Sequence, residues 1–408
     1  MSLLETIIKA ASGLARPDYE SEYPIVLNPD PVFLNLKPEN EDPIDRILVK
    51  KDDGWPISQN DAERIELGRN FFKKLRRKLK NASSFTKDEF FEMFNPFLEK
   101  NGEILGISAK IGRREEGYSV KLVEKVGYLM GRDVRGLILE ACIVLELWDV
   151  LESLIVNKLV LHSCVSNLVN NLIEKRRSDL IVLCVKHIGD IQTYEIMCIL
   201  KYFLCPSKEG YESMVSVRKD WESQALLAIE KVSDKNLTAK KLSVARDASL
   251  LVMVAYDGFS VSELCLHYLL ASKNVDDVIL ASCISKLNGL EMMSLIQHLS
   301  KWLKKYERFP QVSPCPKASS LLGLKVCEWI PSLQDVVRCL GLVIDEHFSS
   351  LVLHPEFHEE LRSLGGLASS LAAEARLCGS LANLTERLRT DHRGIYIELV
   401  TTLKSTYF

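Results

Sequence analysis

From Ser119 to about Lys305 the chain is a succession of apolar segments with helical period, parted by polar breaks a few residues long. The segments fall at 120–130, 136–157, 163–175, 178–188, 190–204, 211–232, 238–256, 261–272, 276–287 and 290–305. The breaks between them read RRSD, CPSKEG, SDKN, YDGFS and SKNVDD. Apolar residues recurring at steps of three and four line one side of a helix. No single helix can bury such a stripe alone, and short links make consecutive helices antiparallel neighbours. Strand-like alternation and hairpin turns are scarce. No fixed-period consensus accompanies the pattern, which excludes a tetratricopeptide or ankyrin text. The expectation is an all-α, irregular helical-repeat array, α-solenoid-like in character.

The strongest pattern lies at Leu287–Leu364. Its first helix places Met292, Leu295, Ile296, Leu299, Trp302 and Leu303 on one face, with Gln297, Lys301, Lys304 and Lys305 opposite. A second apolar series follows at Ile330, Leu333, Val337, Leu340, Ile344, Phe348 and Leu351. Pro331 is harmless only in a first turn, where its missing N–H would bond to nothing. A helix from Pro331 to Leu353 would run about 34 Å. It is a docking candidate, with Leu340, Ile344, Phe348 and Leu351 on its periodic face. Trp329 stands before it as an aromatic core or interface anchor.

Residues 1–57 differ in kind. They hold seven of the fourteen prolines, and between Pro17 and Gly54 ten acidic residues stand against four basic ones, a local charge of −6. Proline at that density excludes long helices and central strands. The reading is a proline-rich, largely non-regular segment, either extended along another surface through YPIVL and VFLNL or disordered. A small helical unit with a basic helix follows at 58–117. The solenoid-like array occupies 118–310, and a C-terminal helical region, a candidate assembly element, occupies 311–408. There, Gly365-Gly366 reads as a helix break.

The 408 residues carry a net charge of −3 with ordinary globular composition, which argues against a uniformly basic nucleic-acid coat. The start has no basic n-region before its apolar run, and no run approaches the roughly 18 apolar residues of a membrane span. A soluble intracellular protein is expected. The eleven cysteines begin at Cys142 and include no CxxC pair. Cys142, Cys184, Cys198, Cys265, Cys283 and Cys339 sit in apolar helical patterns, as small buried thiols do. GxxxxGK[ST], GxGxxG, GxSxG and HExxH are all absent, so no catalytic residue, cofactor site or small-molecule substrate is assigned. His354 and His358 have metal-ligand spacing, but Pro355 between them makes His354 a helix-start residue. No metal is assigned.

One charge cluster stands out. After Gln59 begins a helix whose second half, FKKLRRKLK, carries Lys73, Lys74, Arg76, Arg77, Lys78 and Lys80 within eight residues. Such a run serves nuclear import, contacts an RNA backbone, or is simply a solvated helix face.

At VIDEHFSSLVL, following a Trp-bearing segment, the chain resembles the C-terminal helical region of the nucleolar protein 11 family. Trp329, Ile344, Asp345, His347, Phe348, Leu351, Val352 and Leu353 carry the resemblance, supported by the helix around Leu295–Leu303. It covers about 70 residues, and adds His347 and Val352 to the docking candidates. Family members belong to the UtpA subcomplex of the small-subunit processome and place a WD-repeat propeller ahead of this region. No propeller pattern occurs in this sequence, which puts propeller-mediated contacts in doubt. The resemblance implies a nucleolar, non-enzymatic scaffold in ribosomal RNA processing, binding other subunits and, through the basic run, pre-ribosomal RNA. The rivals are a helical scaffold of a membrane coat or nuclear pore, with cytoplasmic placement, and an enzyme with an unrecognised site.

Overall fold

Helices end where backbone carbonyls find other donors, and one such device sets the architecture. In the computed structural model, which describes residues 58–107, 117–234 and 237–406, the expected helix at 136–157 is two helices. These are Arg132–Val144 and Trp148–Val156. Between them Glu146 adopts φ 54°. The Leu147 N–H donates to the Cys142 carbonyl at 2.9 Å, and the Glu146 N–H to that of Ile143 at 3.4 Å. This is a Schellman closure built on a non-glycine residue. It recurs at Lys158, φ 56°, with Leu159 N–H to Leu154 O at 2.9 Å. It recurs again at Arg176, φ 56°, with Arg177 N–H to Leu172 O at 2.9 Å. Neither glycine nor proline marks these three breaks, and at Glu146 helical periodicity runs straight through.

The helices so cut keep a regular beat. We number them in chain order. α1 is Gln59–Lys80 and α2 is Lys87–Ile104. Then come α3 (Tyr118–Val126), α4 (Arg132–Val144), α5 (Trp148–Val156), α6 (His162–Glu174), α7 (Ser178–His187), α8 (Thr193–Leu204) and α9 (Lys208–Ser213). The starts of α3, α5, α7 and α9, at 118, 148, 178 and 208, are 30 residues apart. So are the ends of α4, α6 and α8, at 144, 174 and 204. A fixed period therefore exists over residues 118–207 in geometry, although no sequence consensus writes it. Tyr118, Trp148, Ser178 and Lys208 stand at the equivalent starts. What recurs is burial: Val150, Leu151, Leu154 and Ile155 in α5 match Leu180, Ile181, Cys184 and Val185 in α7, each 30 residues on. α4, α6 and α8 pack successively in one layer, and α3, α5 and α7 in the other. Each helix thus buries its stripe against a neighbour in its own layer and one in the opposite layer.

α1 and α2 precede this array and share a cluster of rings. Phe71 stacks on Phe97 at 4.1 Å between centroids, and Phe90 on Phe94 at 5.0 Å. Thr86 caps α2 as its spacing with Glu89 predicts, its side chain accepting from the Glu89 N–H at 3.3 Å.

Beyond α9 the period lapses. α10 (Val215–Ser233) and α11 (Ala239–Tyr256) pair closely, with Ala225, Ala228, Ala245 and Ala248 buried. α12 (Val261–Leu270), α13 (Asp277–Ile284), α14 (Gly289–Arg308) and α15 (Lys317–Leu322) follow. α16 (Leu333–Leu353) and α17 (His358–Thr406) complete the described chain. α14 buries the predicted Met292, Leu295, Ile296, Leu299, Trp302 and Leu303, and packs against both α16 and α17. Among the described residues there is no strand. The fold is an all-α array; the proline-rich segment 1–57 lies outside the described residues.

Three boundary expectations are corrected. Pro331 lies one residue before the cap: Ser332 and Asp335 form the capping box that starts α16, and the Pro331 carbonyl accepts from the Tyr306 hydroxyl at 2.6 Å. α16 is not one straight rod, since His347 has φ −120° and ψ 18° inside it. Gly365-Gly366 does not interrupt α17, because a helical glycine costs only about 1 kcal/mol relative to alanine.

Candidate functional site

α16 is apolar over more of its circumference than the core can use. Val336, Cys339, Leu340, Val343 and Leu351 turn inward and are buried. At about 100° per residue, Val337, Ile344, Phe348 and Val352 share the adjoining quarter-turn, and all four are exposed, Phe348 by 62%. Leu333 and Leu353 expose further apolar surface at the two ends. The neighbouring α13 adds an exposed Val278. α17 packs on α14, on the far side of this problem, and leaves the outer quarter of α16 to solvent.

The docking residues expected from sequence therefore divide. Ile344, Phe348 and Val352 are on the outer face. Leu340 and Leu351 belong to the core and are not available to a partner, as is Ile330 from the same series. The apolar series mixes two faces, because inward and outward arcs adjoin and steps of three and four pass from one to the other. His347 is half-buried, its ring Nε2 donating to the Ile284 carbonyl at 2.7 Å, and so anchors the kink to α13. Trp329 is half-buried with its ring 6.0 Å from that of Tyr268, an anchor to the core. The sequence reading left out Val352's neighbour Leu353 and the early Leu333 and Val337 as docking residues, although the last two were in its periodic series.

Beneath α16 lies a buried aromatic cluster around α14. The Trp302 indole N–H donates to His267 Nδ1 at 3.4 Å, and His267 Nε2–H donates to the Ala255 carbonyl at 3.0 Å. Phe259 sits edge-on to His267 at 4.6 Å. His298 is fully buried, its ring centre 5.3 Å from that of His267, and neither of its ring nitrogens has a hydrogen-bond partner among the described residues. Glu263 Oε1, at 4.0 Å from Nδ1, is out of reach. Burial, reinforced by the Lys301 ammonium, pushes the His298 imidazole down to about 3. Burial and the neighbouring His298 also hold His267 well below the usual histidine range. Both rings are therefore neutral at pH 7.

A second group of perturbed charges lies where α5, α7, α10 and α12 meet. The Lys186 ammonium sits 4.3 Å from the centre of the Tyr268 ring, and burial pulls it below its ordinary value. Burial raises the Asp220 and Glu152 carboxyls. A cleft of about 270 Å³ at the end of α10 is lined, among the described residues, by Glu230, Lys231, Ser233 and Asp234. Among the described residues no cluster of three or more metal-ligating side chains occurs. His354 is exposed with Nδ1 3.8 Å from Glu356, and His358 directs Nε2 to the Val352 carbonyl at 2.8 Å. No helix is long and apolar enough to cross a membrane among the described residues. Cys142, Cys184, Cys265, Cys283 and Cys339 are buried as expected, and Cys198 is half-buried.

The basic run occupies the outer face of α1. Lys73, Lys74, Arg76, Arg77, Lys78 and Lys80 are all exposed, whereas Phe71 and Leu75 face the core. Lys78 pairs with Glu89 at 3.1 Å. The Arg76 guanidinium lies 5.9 Å from the Phe72 ring centre.

No family model, curated protein or solved structure matches this chain.

Proposed function

We propose that this protein is a non-enzymatic helical scaffold that holds other subunits of a multiprotein complex, and that its place is the nucleolar small-subunit processome. The observation that carries the scaffold reading is the outer face of α16. Phe348 and Val352 are large apolar groups left in water, and contiguous apolar surface of this kind marks interaction sites. Its helical spacing suits a partner helix laid alongside, with anchors about one and two turns apart. The processome assignment rests on the resemblance around Trp329 and Ile344–Leu353, four of whose residues (Ile344, Phe348, Val352 and Leu353) point outward.

Affinity purification of the tagged chain followed by mass spectrometry tests both levels. Processome subunits should co-purify with the wild type, disappear with Phe348→Asp, and mark a nucleolar protein by microscopy. Their consistent absence from the wild-type sample would sink the processome assignment. Recovery unchanged by Phe348→Asp and Val352→Asp together would sink the docking face.

A further inference from the structure

We infer that the outer face of α1 is a binding site for the phosphate backbone of single-stranded RNA. The inference stands on α1 alone and is independent of α16. From Arg69 to Lys80, twelve residues hold seven cations and no acid. At about 100° per residue, Arg69, Lys73, Arg76, Arg77 and Lys80 fall within an arc of roughly 100°, centred opposite Phe71 and Leu75. Lys74 lies about 60° beyond that arc, and Lys78 stands on the side of Phe71.

The density of these charges separates them from other cations of the chain. Several cations of the array sit singly beside acids: Lys175 with Glu146 at 2.8 Å, Arg177 with Asp179 at 2.5 Å, Lys301 with Glu263 at 2.8 Å. The same holds for Lys305 with Asp257 at 3.6 Å and Arg338 with Asp277 at 3.2 Å. Of the seven on α1, only Lys78 has a carboxylate partner among the described residues. A helix C-terminus attracts cations through its dipole, but that effect is confined to the last turn, and Arg69 and Lys73 lie before it.

Geometry favours a polyphosphate strand. The arc from Arg69 to Lys80 is about 17 Å long at 1.5 Å per residue. Its five cations can neutralise about five phosphates of one strand. A lipid surface would also attract the charge, but amphipathic membrane helices bind by inserting their apolar face. Here that face is committed to the core, Phe71 stacking on Phe97. A receptor that reads an extended basic peptide would have to unwind the helix.

The test measures anisotropy of a labelled oligouridylate with the full-length chain over a salt series. Five phosphate contacts give a log–log salt slope of about −3.5, so affinity should fall about a hundredfold between 50 and 200 mM salt. The variant Arg69→Gln, Lys73→Gln, Arg77→Gln, Lys80→Gln spares Arg76 over Phe72 and should reduce the slope to about −0.7. A control, Lys219→Gln, Lys240→Gln, Lys241→Gln, Arg246→Gln, removes the same charge from exposed positions of α10 and α11 and should bind as the wild type does. Circular dichroism checks that both variants fold; should the α1 variant not fold, Lys73→Gln alone should lower the slope by about 0.7. Absence of saturable binding by the wild type overturns the site, as does equal loss in the control. Capture of phosphatidylserine vesicles without binding of oligouridylate overturns it in favour of a membrane.

Discussion

Replacing Phe348 by Asp and, separately, Leu351 by Asp sets two residues of one helix turn against each other. Phe348 is 62% exposed and Leu351 only 2%. Full burial of such a side chain is worth about 1.5–3 kcal/mol, so the covered third of Phe348 contributes about 1 kcal/mol at most. Asp adds a helix-propensity penalty of roughly half a kcal/mol. Phe348→Asp should therefore cost about 1–1.5 kcal/mol, a fraction of the roughly 5–15 kcal/mol typical of a folded domain. At Leu351 the whole transfer energy is lost and a carboxylate is placed among apolar atoms. The sum exceeds about 4 kcal/mol, the range reserved for buried unpaired charges. Thermal melts by circular dichroism, with size-exclusion chromatography, read the difference. Phe348→Asp should remain folded and monodisperse, its melting temperature within a few degrees of wild type, while Leu351→Asp should lose cooperative unfolding or aggregate. Equal destabilisation by the two would refute the division of α16 into an inner and an outer face.

Lys158 adopts φ 56° and has no ion pair to lose among the described residues. Relief of its left-handed conformation, about 1–2 kcal/mol, exceeds the roughly 0.5–1 kcal/mol of added unfolded-state entropy, so Lys158→Gly should stabilise by about 0.5–1 kcal/mol. Glu146→Gly should gain less, because it forfeits the Lys175 contact at 2.8 Å; urea titration measures both, and destabilisation by Lys158→Gly would contradict the Schellman geometry. Acid should weaken the fold through His298. Its imidazole titrates at about 3 when folded and near 6.5 when unfolded, so the unfolded state binds the extra proton between those values. That contribution is complete above about pH 6.5, and lowering the pH from 7 to 5 should remove about 2 kcal/mol. His298→Leu should flatten this dependence in calorimetric melts, and an unchanged pH slope would show that His298 is not the acid-sensitive group.

Much of this architecture was legible because amphipathic spacing reports burial directly. α14 buries the residues its periodicity selects, and Thr86 caps α2 as its sequence requires. The break after α4 was not legible, since Glu146 is not a residue that favours positive φ, whereas those after α5 and α6 fall where the apolar segments end at 157 and 175. Their conformation is imposed by buried neighbours, such as Leu147 and Leu159, that fix where the next segment must begin. The same blindness hid the 30-residue beat, which is kept by packing rather than by any repeated letter. On α16 the ambiguity is of another kind. Leu340 and Ile344 look alike in sequence, and only the positions of α13, α14 and α17 decide which is covered. The basic face of α1 was legible as charge, but the commitment of its opposite face to the core, with Phe71 stacked on Phe97, was not.

Placing the two candidate surfaces on α1 and α16 follows from how a helical array consumes its own apolar area. An inner helix such as α6 has neighbours in both layers and spends Val165, Leu168, Val169 and Leu172 on them. Little remains for a partner. Helices that lack a neighbour on one side must meet water there, and repeat proteins ordinarily present a polar outer face at such positions. α1 obeys that rule with charge, and overshoots it by placing seven cations and no acid in twelve residues. α16 breaks the rule. α17, the helix next in sequence, goes to α14 instead, so Val337, Ile344, Phe348 and Val352 are exposed where a polar cap would be expected. A helix can carry such a stripe at little cost to its own folding, because the inner arc suffices to hold it. The stripe lowers the free energy of the system only when something else covers it.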